Sequence, residues 1–278
     1  MKEVLIEKIK KDGYCRIPGV FSQAEIKKAL DLTNYWYEKT KDTATNLSAL
    51  TRDDLYLFNP HYKDFYFLEL FFKPAILHEI LMYFLNDQWF RAIPQDQPNY
   101  ILQNYMGRSS DRRLAMHIDS FIPYHGKYLF MLQAGITLEE QTEENGCFVA
   151  IPGSHLSGEF VEQNAYNDAI PILSEPGDLL IWDSRIWHGT MENKTQKTRW
   201  SLIAAFARWW VKQMFDYPMG LPQEIYEQLT DNQKAMLGFC SIPYINEQEG
   251  VDKKRGYDKL LPHVDDYKPK PKAEALSF

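Results

Sequence analysis

The spacing of apolar residues divides the chain into a helical first third, a β-rich middle and a mainly helical C-terminal part. Within residues 1–87 the first apolar residues follow helical spacing, and that helix is predicted to end at Asp12-Gly13. A short strand is expected over 14–20 and a further helix over 74–86. The N-terminal part is therefore predicted to be mainly helical.

A capping box marks the start of the longest of these helices. In Ser22-Gln-Ala-Glu25 the serine hydroxyl can accept from a free backbone N–H, and the glutamate can accept from the serine N–H in return. Residues at helical spacing after it are predicted to form the buried face of the helix. They are Ile26, Ala29, Leu30, Thr33 and Trp36.

The middle of the chain, from about 88 to 210, has the pattern of an all-β domain. Short apolar or alternating runs recur there, and turn signals such as Asn145-Gly146 and Pro176-Gly177 separate them. The predicted strands are 88–94, 98–106, 114–118, 128–138, 147–151, 170–173, 178–182 and 199–208. Many short strands separated by turns indicate a sandwich, jelly roll or barrel with flanking helices.

After residue 210 the pattern becomes helical again. Pro222 can open one short helix, and Thr230 with Gln233 can cap another. From about 248 the chain is rich in Asp, Lys and Pro and is expected to be a surface tail. Because no linker interrupts the sequence, we expect one domain over 1–278: a β core of about 88–210, an N-terminal helical part of 1–87, and C-terminal helices and a tail over 211–278.

Composition excludes several classes of partner. The formal net charge of -7 and the isoelectric point near 5.6 give no electrostatic attraction to nucleic acid or anionic lipid. Three widely spaced cysteines without a CxxC pair argue against a disulfide framework and a cysteine-bound zinc. The apolar run IAAFARWW at 203–210 is too short to span a bilayer. A cytoplasmic protein without a membrane segment is expected, and the oligomeric state is left open.

The sequence His117-Ile118-Asp119 is a candidate for two metal ligands. Residues i and i+2 of a strand point to the same face, so this His and Asp can converge on one ion. Two His and one carboxylate on one side of the metal form the ligand set of non-haem Fe(II) oxygenases. A second copy, His263-Val264-Asp265, lies in the polar tail without a strand pattern or a later His, and is read as a solvated pair.

The segment 177–202 supplies the remaining parts of such a site. His188-Gly189 follows an apolar strand, and Arg199 comes eleven residues later, at the entrance of another strand. A guanidinium near the metal can bind a distal carboxylate through two hydrogen bonds, as a 2-keto diacid requires. The competing readings are a packed core histidine for His188 and a surface ion pair of Arg199 with Glu192 or Asp183.

Taken together, these motifs resemble the phytanoyl-CoA dioxygenase (PhyH) family over roughly residues 10–210. The resemblance rests on His117-x-Asp119, ENGCFVAIPGSH at 144–155, GDLLIWDSRIWHGT at 177–190 and Arg199. It implies a mainly β fold with flanking helices, the double-stranded β-helix (a cupin-like jelly roll). It also implies an oxygenase that uses Fe(II), 2-oxoglutarate and O₂ and releases succinate and CO₂.

The resemblance assigns roles to individual positions. His117, Asp119 and His188 match the catalytic iron ligands, and Arg199 matches the residue that pairs with the distal carboxylate of 2-oxoglutarate. Further co-substrate contacts are expected at positions that could equally hold ordinary polar side chains bonded within the fold: Thr190, Asn104 and Gln133. Gly135 departs from the family pattern, since many relatives carry an aromatic residue there, and it should leave room in the pocket.

The segment directly after the metal motif should overhang the iron. Its candidate substrate contacts are Phe121, Tyr124 and His125. The resemblance implies hydroxylation of an unactivated C–H bond. No basic cluster suited to the phosphates of coenzyme A is visible, so a small polar metabolite or natural-product intermediate is favoured as the substrate. The alternative is a cupin-like module that binds metal and 2-oxoglutarate as a sensor, without turnover.

Overall fold

Two antiparallel sheets form the centre of the protein, and helices flank the larger one. The computed structural model describes residues 1–43, 54–90, 93, 96–162, 165–195 and 197–251. The six-stranded sheet has the order β1-β8-β5-β10-β3-β2, and the four-stranded sheet has the order β4-β9-β6-β7. Phe148 of the small sheet contacts Trp182 of the large one, with ring centroids 5.1 Å apart. The predicted jelly roll with flanking helices is confirmed.

The strands are, in chain order, β1 (Tyr14–Ile17), β2 (Asp54–Phe58), β3 (Tyr100–Ser110), β4 (Leu114–His117), β5 (Met131–Thr137), β6 (Phe148–Ala150), β7 (Ile170–Ile172), β8 (Leu179–Asp183), β9 (His188–Thr190), β10 (Ser201–Arg208), β11 (Tyr244–Asn246) and β12 (Gly250–Val251). The α-helices are α1 (Lys2–Asp12), α2 (Gln23–Thr40), α3 (Tyr66–Phe72), α4 (Ala75–Leu85), α5 (Tyr217–Gly220), α6 (Gln223–Tyr226) and α7 (Asp231–Met236).

Local signals define the ends of the N-terminal helices. Helix α1 ends at Gly13, whose φ of 85° is the left-handed conformation that glycine adopts without strain. The capping box of α2 is formed in both directions between Ser22 and Glu25. Of the predicted buried face, Ile26, Ala29 and Thr33 are fully buried. These helices cover the outer face of the large sheet, where the main apolar core lies.

The register of the large sheet aligns one row of inward-facing side chains. Asn104 lies opposite Ala205, Ala205 opposite Gln133, and Gln133 opposite Trp182. Directly opposed residues of an antiparallel sheet project to the same face. The row therefore spans four strands on the face that meets the small sheet.

Two predictions about strands in the N-terminal half are wrong. Asp54–Phe58 was assigned to the helical part but forms β2, an edge strand paired with β3. The run 88–94 was predicted as a strand, and residues 91, 92 and 94 of it lie outside the described residues. At its start Gln88 and Trp89 instead form a turn in which the Trp89 N–H donates to Asp87. Phe90 and Ile93 are buried, and Phe90 stacks on Trp209, a contact that periodicity alone does not reveal.

The C-terminal helices follow their predicted caps. Pro222 precedes α6, and Thr230 with Gln233 forms a capping box at the start of α7. The expected tail, including His263-Val264-Asp265, lies outside the described residues apart from its first few positions. Among the residues that are described, no helix combines the length and apolarity needed to cross a bilayer.

Candidate metal centre

Three predicted ligands meet at one end of the space between the sheets. His117 ends β4 and lies directly opposite His188 at the start of β9, because these strands pair antiparallel. The Asp119 carboxylate is 3.7 Å from His117 Nε2 and 3.5 Å from His188 Nε2, measured from Oδ1 and Oδ2 respectively. One ligand atom from each residue lies within 4.8 Å of the others. This spacing fits a single ion.

Both imidazoles are oriented by a hydrogen bond between Nδ1 and the backbone carbonyl two residues earlier. His117 Nδ1 lies 2.9 Å from the carbonyl of Ala115, and His188 Nδ1 lies 2.9 Å from the carbonyl of Ile186. An Nδ1–H that donates to a carbonyl leaves Nε2 unprotonated and able to bind a metal. Burial, reinforced by the nearby His117, lowers the pKa of His188 to about 4. His188 is therefore neutral at physiological pH, as a metal ligand must be.

Asp119 is held through both its backbone and its side chain. Its backbone N–H donates to the carbonyl of Ser184 at 2.8 Å, which ties the residue to the loop before His188. Its Oδ2 accepts from Trp182 Nε1 at 3.0 Å. Spacing along the chain could not predict this hydrogen bond, because Trp182 and Asp119 are 63 positions apart.

A small cavity lies between the sheets next to this cluster, since two of its lining residues, Phe148 and Trp182, contact the His188 ring. Its volume is about 60 Å³, and its apolar wall includes Phe148, which stacks on the His188 ring at 5.1 Å between centroids. Gly135 lines it as expected, and the ring of Trp182 lies beside the position that a side chain would take there. The polar side chains that line it are Arg108, Thr137, Gln141, Ser174, Thr190, Arg199 and Ser201.

Arg199 lies in this cavity as a buried cation that has no carboxylate partner among the residues the structure describes. It is 6% exposed, and its side chain makes one hydrogen bond to the described residues, from Nε to the carbonyl of Ser110 at 3.2 Å. Burial, together with the positive charge of Arg108, lowers its pKa to about 10. A desolvated guanidinium of this kind is stabilised by an anionic ligand.

The surface ion pair considered for Arg199 is not formed. Asp183 is itself buried and is paired with Arg185, with Nη2 and Oδ2 2.7 Å apart. Gly146, in the predicted Asn145-Gly146 turn, packs directly against the arginine: a Cβ there would lie 3.1 Å from Arg199 Nε. The turn thus shapes the wall that holds the guanidinium.

A second arginine in the cavity was missed. Arg108 lies on β3 opposite Ser201 and is paired with Asp54 of β2 through both Nε and Nη2. The pairing depends on β2, which was assigned to the helical part of the chain. In the sequence, only a continued alternation of buried and exposed positions beyond residue 106, the predicted end of this strand, could have indicated that Arg108 lies on it.

Of the other co-substrate candidates, one lines the cavity and two do not. Thr190 lines the cavity beside Arg199, and its hydroxyl accepts from the N–H of Leu114 at 3.2 Å. Asn104 and Gln133 belong to the row that includes Trp182 and do not line the cavity around Arg199. Asn104 Oδ1 is buried without a hydrogen-bond partner among the described residues, and Gln133 is 6% exposed.

The three substrate candidates differ in their surroundings. Phe121 is 86% exposed, with a positive φ of 66°, two residues after Asp119. Tyr124 stacks on Phe130, and its hydroxyl accepts from the Phe130 N–H. His125 packs against Gly158. Only Phe121 is therefore free of packing contacts that fix it within the loop.

Comparison with known proteins gives the family. Residues 9–201 match the phytanoyl-CoA dioxygenase (PhyH) family, and the chain belongs to it. It is similar to the dioxygenase af480 of Aspergillus fumigatus, with 25% identity over 251 residues that cover 85% of this chain and 77% of that protein. Family membership confirms the predicted class, a 2-oxoglutarate-dependent non-haem iron dioxygenase.

Solved structures share the fold. The epimerase SnoN from nogalamycin biosynthesis, in complex with Fe3+, alpha ketoglutarate and nogalamycin RO, superimposes with a TM-score of 0.55 at 19% identity over 74% of this chain and 83% of that one. HygX from Streptomyces hygroscopicus, with nickel, 2-oxoglutarate and hygromycin B bound, gives 0.57 at 16% identity over 77% and 90%.

Proposed function

We propose that this protein oxidises a small molecule with Fe(II) bound by His117, Asp119 and His188. The observation that carries the proposal is the placement of a buried cation, Arg199, in a cavity lined by Phe148 and Trp182, whose rings both contact the His188 ring. A 2-keto diacid has a chelating end for the metal and a carboxylate for the guanidinium. The donor set fits Fe(II), since two neutral imidazoles and one carboxylate leave coordination positions free.

In the proposed complex the residues of the site have separate roles. Fe(II) with 2-oxoglutarate supplies oxidative activation of O₂. The Nε2 atoms of His117 and His188 are offered to the metal by their Nδ1 hydrogen bonds, and Arg199 orients the distal carboxylate of the co-substrate with Thr190 beside it. The side chains of Phe148, Leu180 and Ile203 line the stretch between the two ends and exclude water from it.

The reaction proposed is hydroxylation of an unactivated C–H bond. In its overall balance one O₂, one 2-oxoglutarate and one R–H give R–OH, succinate and CO₂. The substrate proposed is a small polar metabolite or natural-product intermediate, handled in the cytoplasm. In support, the similar folds of HygX and SnoN hold hygromycin B and nogalamycin RO, respectively. Exposed Phe121 beside Asp119 is the strongest candidate for a substrate contact.

The test is consumption of 2-oxoglutarate by the purified protein with Fe(II) and O₂, read as stoichiometric succinate and CO₂. Slow release without added substrate is expected from the wild type and none from Asp119→Ala, which removes a ligand. Binding of 2-oxoglutarate without any release from the wild type, under conditions where a loaded metal is verified, would instead favour the sensor module. Equal release by Asp119→Ala would contradict the proposed ligand set.

A further inference from the structure

Trp182 contacts two of the proposed metal ligands, Asp119 and His188, and also lines the cavity. It is 4% exposed on β8, its Nε1–H donates to Asp119 Oδ2 at 3.0 Å, and its ring meets the His188 ring edge-on at 5.8 Å between centroids. We propose that Trp182 is a positioning residue that reserves one oxygen of Asp119, so that this carboxylate binds the metal through its other oxygen alone. The inference rests on the proposed function of Asp119 as a ligand.

Two neighbours restrict the indole and so fix the direction of its N–H. Phe148 packs against it at 5.1 Å between centroids. Gly135 lies beside the ring, where a Cβ would stand 3.1 Å from Trp182 Cζ3 and 3.5 Å from Cη2. The shorter of these two distances is closer than ordinary van der Waals contact. The absence of a side chain at position 135 therefore makes room for the indole in this orientation.

The hydrogen bond matters because the carboxylate could otherwise bind through both oxygens. Asp119 Oδ1 and Oδ2 each lie within 4 Å of an imidazole Nε2, so both oxygens face the metal position. A carboxylate that chelates through both oxygens would occupy a coordination position needed by the 2-keto acid or O₂. An N–H donor on Oδ2 engages that oxygen and restricts rotation of the carboxylate, so that Oδ1 is already oriented to bind the metal.

The test is metal affinity, measured with Co²⁺ by calorimetry in the absence of 2-oxoglutarate and O₂. Trp182→Phe keeps an aromatic ring and removes the donor. Its Co²⁺ affinity is expected to fall about 10- to 100-fold, the usual effect of losing such a partner. Trp209→Phe is the matched control, because Trp209 Nε1 also donates to a carboxylate oxygen at 3.0 Å, that of Asp87, away from the site. Its affinity should stay within about twofold of the wild type.

Gly135→Ala provides a second, independent perturbation. It retains the indole N–H but forces the ring to move, so it should also weaken Co²⁺ binding in a protein whose circular dichroism is unchanged. In Trp182→Phe, which lacks Cζ3, the added methyl group should have little further effect, and the two substitutions should not be additive. The coordination spectrum of bound Co²⁺ should change in both single variants.

Failure of the proposed ligand set and failure of the positioning role of Trp182 would give different results in this experiment. If the wild type does not bind Co²⁺, the proposed ligand set fails. If the wild type binds and Trp182→Phe binds within twofold of it with the same Co²⁺ spectrum, the positioning role is overturned while the ligand set stands. Full additivity of the two substitutions would also overturn it, since the Gly135 effect would then not pass through the indole.

Discussion

Replacement of Arg199 by methionine separates a ligand-binding arginine from a structural one. The substitution keeps most of the apolar volume and removes the guanidinium. In the proposed complex Arg199 makes two charge-assisted hydrogen bonds to a carboxylate, each contributing about 1.5–3 kcal/mol. The loss of about 3–6 kcal/mol corresponds to roughly a 10²- to 10⁴-fold weaker binding of 2-oxoglutarate, since 1.4 kcal/mol is tenfold.

The same variant should not destabilise the ligand-free protein. Arg199 has no carboxylate partner among the described residues, and burial lowers its pKa to about 10, so the folded state bears the desolvation of an uncompensated charge. Arg185→Met is the matched control: it would leave the buried Asp183 carboxylate unpaired and should lower the melting temperature by several degrees. Its effect on the dissociation constant of 2-oxoglutarate should be small.

The assay is a titration of 2-oxoglutarate against the metal-loaded protein, with thermal unfolding of the ligand-free protein measured beside it. Arg199→Met is expected to bind weakly and to melt at or above the wild-type temperature. If it instead binds 2-oxoglutarate as tightly as the wild type and melts several degrees lower, Arg199 has a structural role and the reasoning is refuted.

Three further substitutions test the account of stability. His61 is fully buried with neither ring nitrogen bonded to a described residue, and burial lowers its pKa to about 3. The unfolded chain binds a proton on this ring near pH 6.5 and the folded chain does not, so His61 contributes a fall in unfolding free energy of up to about 1.4 kcal/mol per pH unit as pH drops from 6.5 toward 3. His61→Phe should remove this contribution and leave that of His188, whose pKa is also lowered by burial. An identical slope of unfolding free energy against pH in His61→Phe and the wild type would exclude the contribution of His61. Gly146→Ala should lower the unfolding free energy by about 2 kcal/mol in urea denaturation, because φ is 90° there and a Cβ would lie 2.6 Å from the Met191 carbonyl; a neutral effect would mean that the turn relaxes freely. Ser22→Ala should lower the unfolding free energy by about 1 kcal/mol at an unchanged m-value, because the helix loses the hydroxyl that accepts from the Glu25 N–H. A loss of less than about 0.3 kcal/mol would mean that the cap does not stabilise the protein.

The sequence predicted the parts of the site that depend on local spacing. His117 and Asp119 are two residues apart, and His188 follows a strand with a recognisable turn before it, so both segments could be placed at strand ends. That His117 and His188 lie directly opposite each other is a matter of register between β4 and β9, which spacing alone does not determine. The family resemblance supplied that link.

Contacts between distant strands could not be predicted in the same way. Arg108 reaches the cavity while paired with Asp54, and this pairing requires β2, whose five residues are too few to separate a strand from a helix turn. The role of Gly135 depends on the ring of Trp182 on the neighbouring strand. Tyr124, a predicted substrate contact, stacks on Phe130 and accepts from its backbone N–H, and neither contact could be predicted from the spacing of the two residues.

The most direct test of the central claim is a crystal structure grown without oxygen in the presence of Fe(II) and 2-oxoglutarate. The account predicts an anomalous iron peak bound by His117 Nε2, His188 Nε2 and one oxygen of Asp119, with the distal carboxylate of 2-oxoglutarate hydrogen-bonded to the Arg199 guanidinium. An iron peak away from these three side chains, or a co-substrate carboxylate that does not reach Arg199, would contradict it.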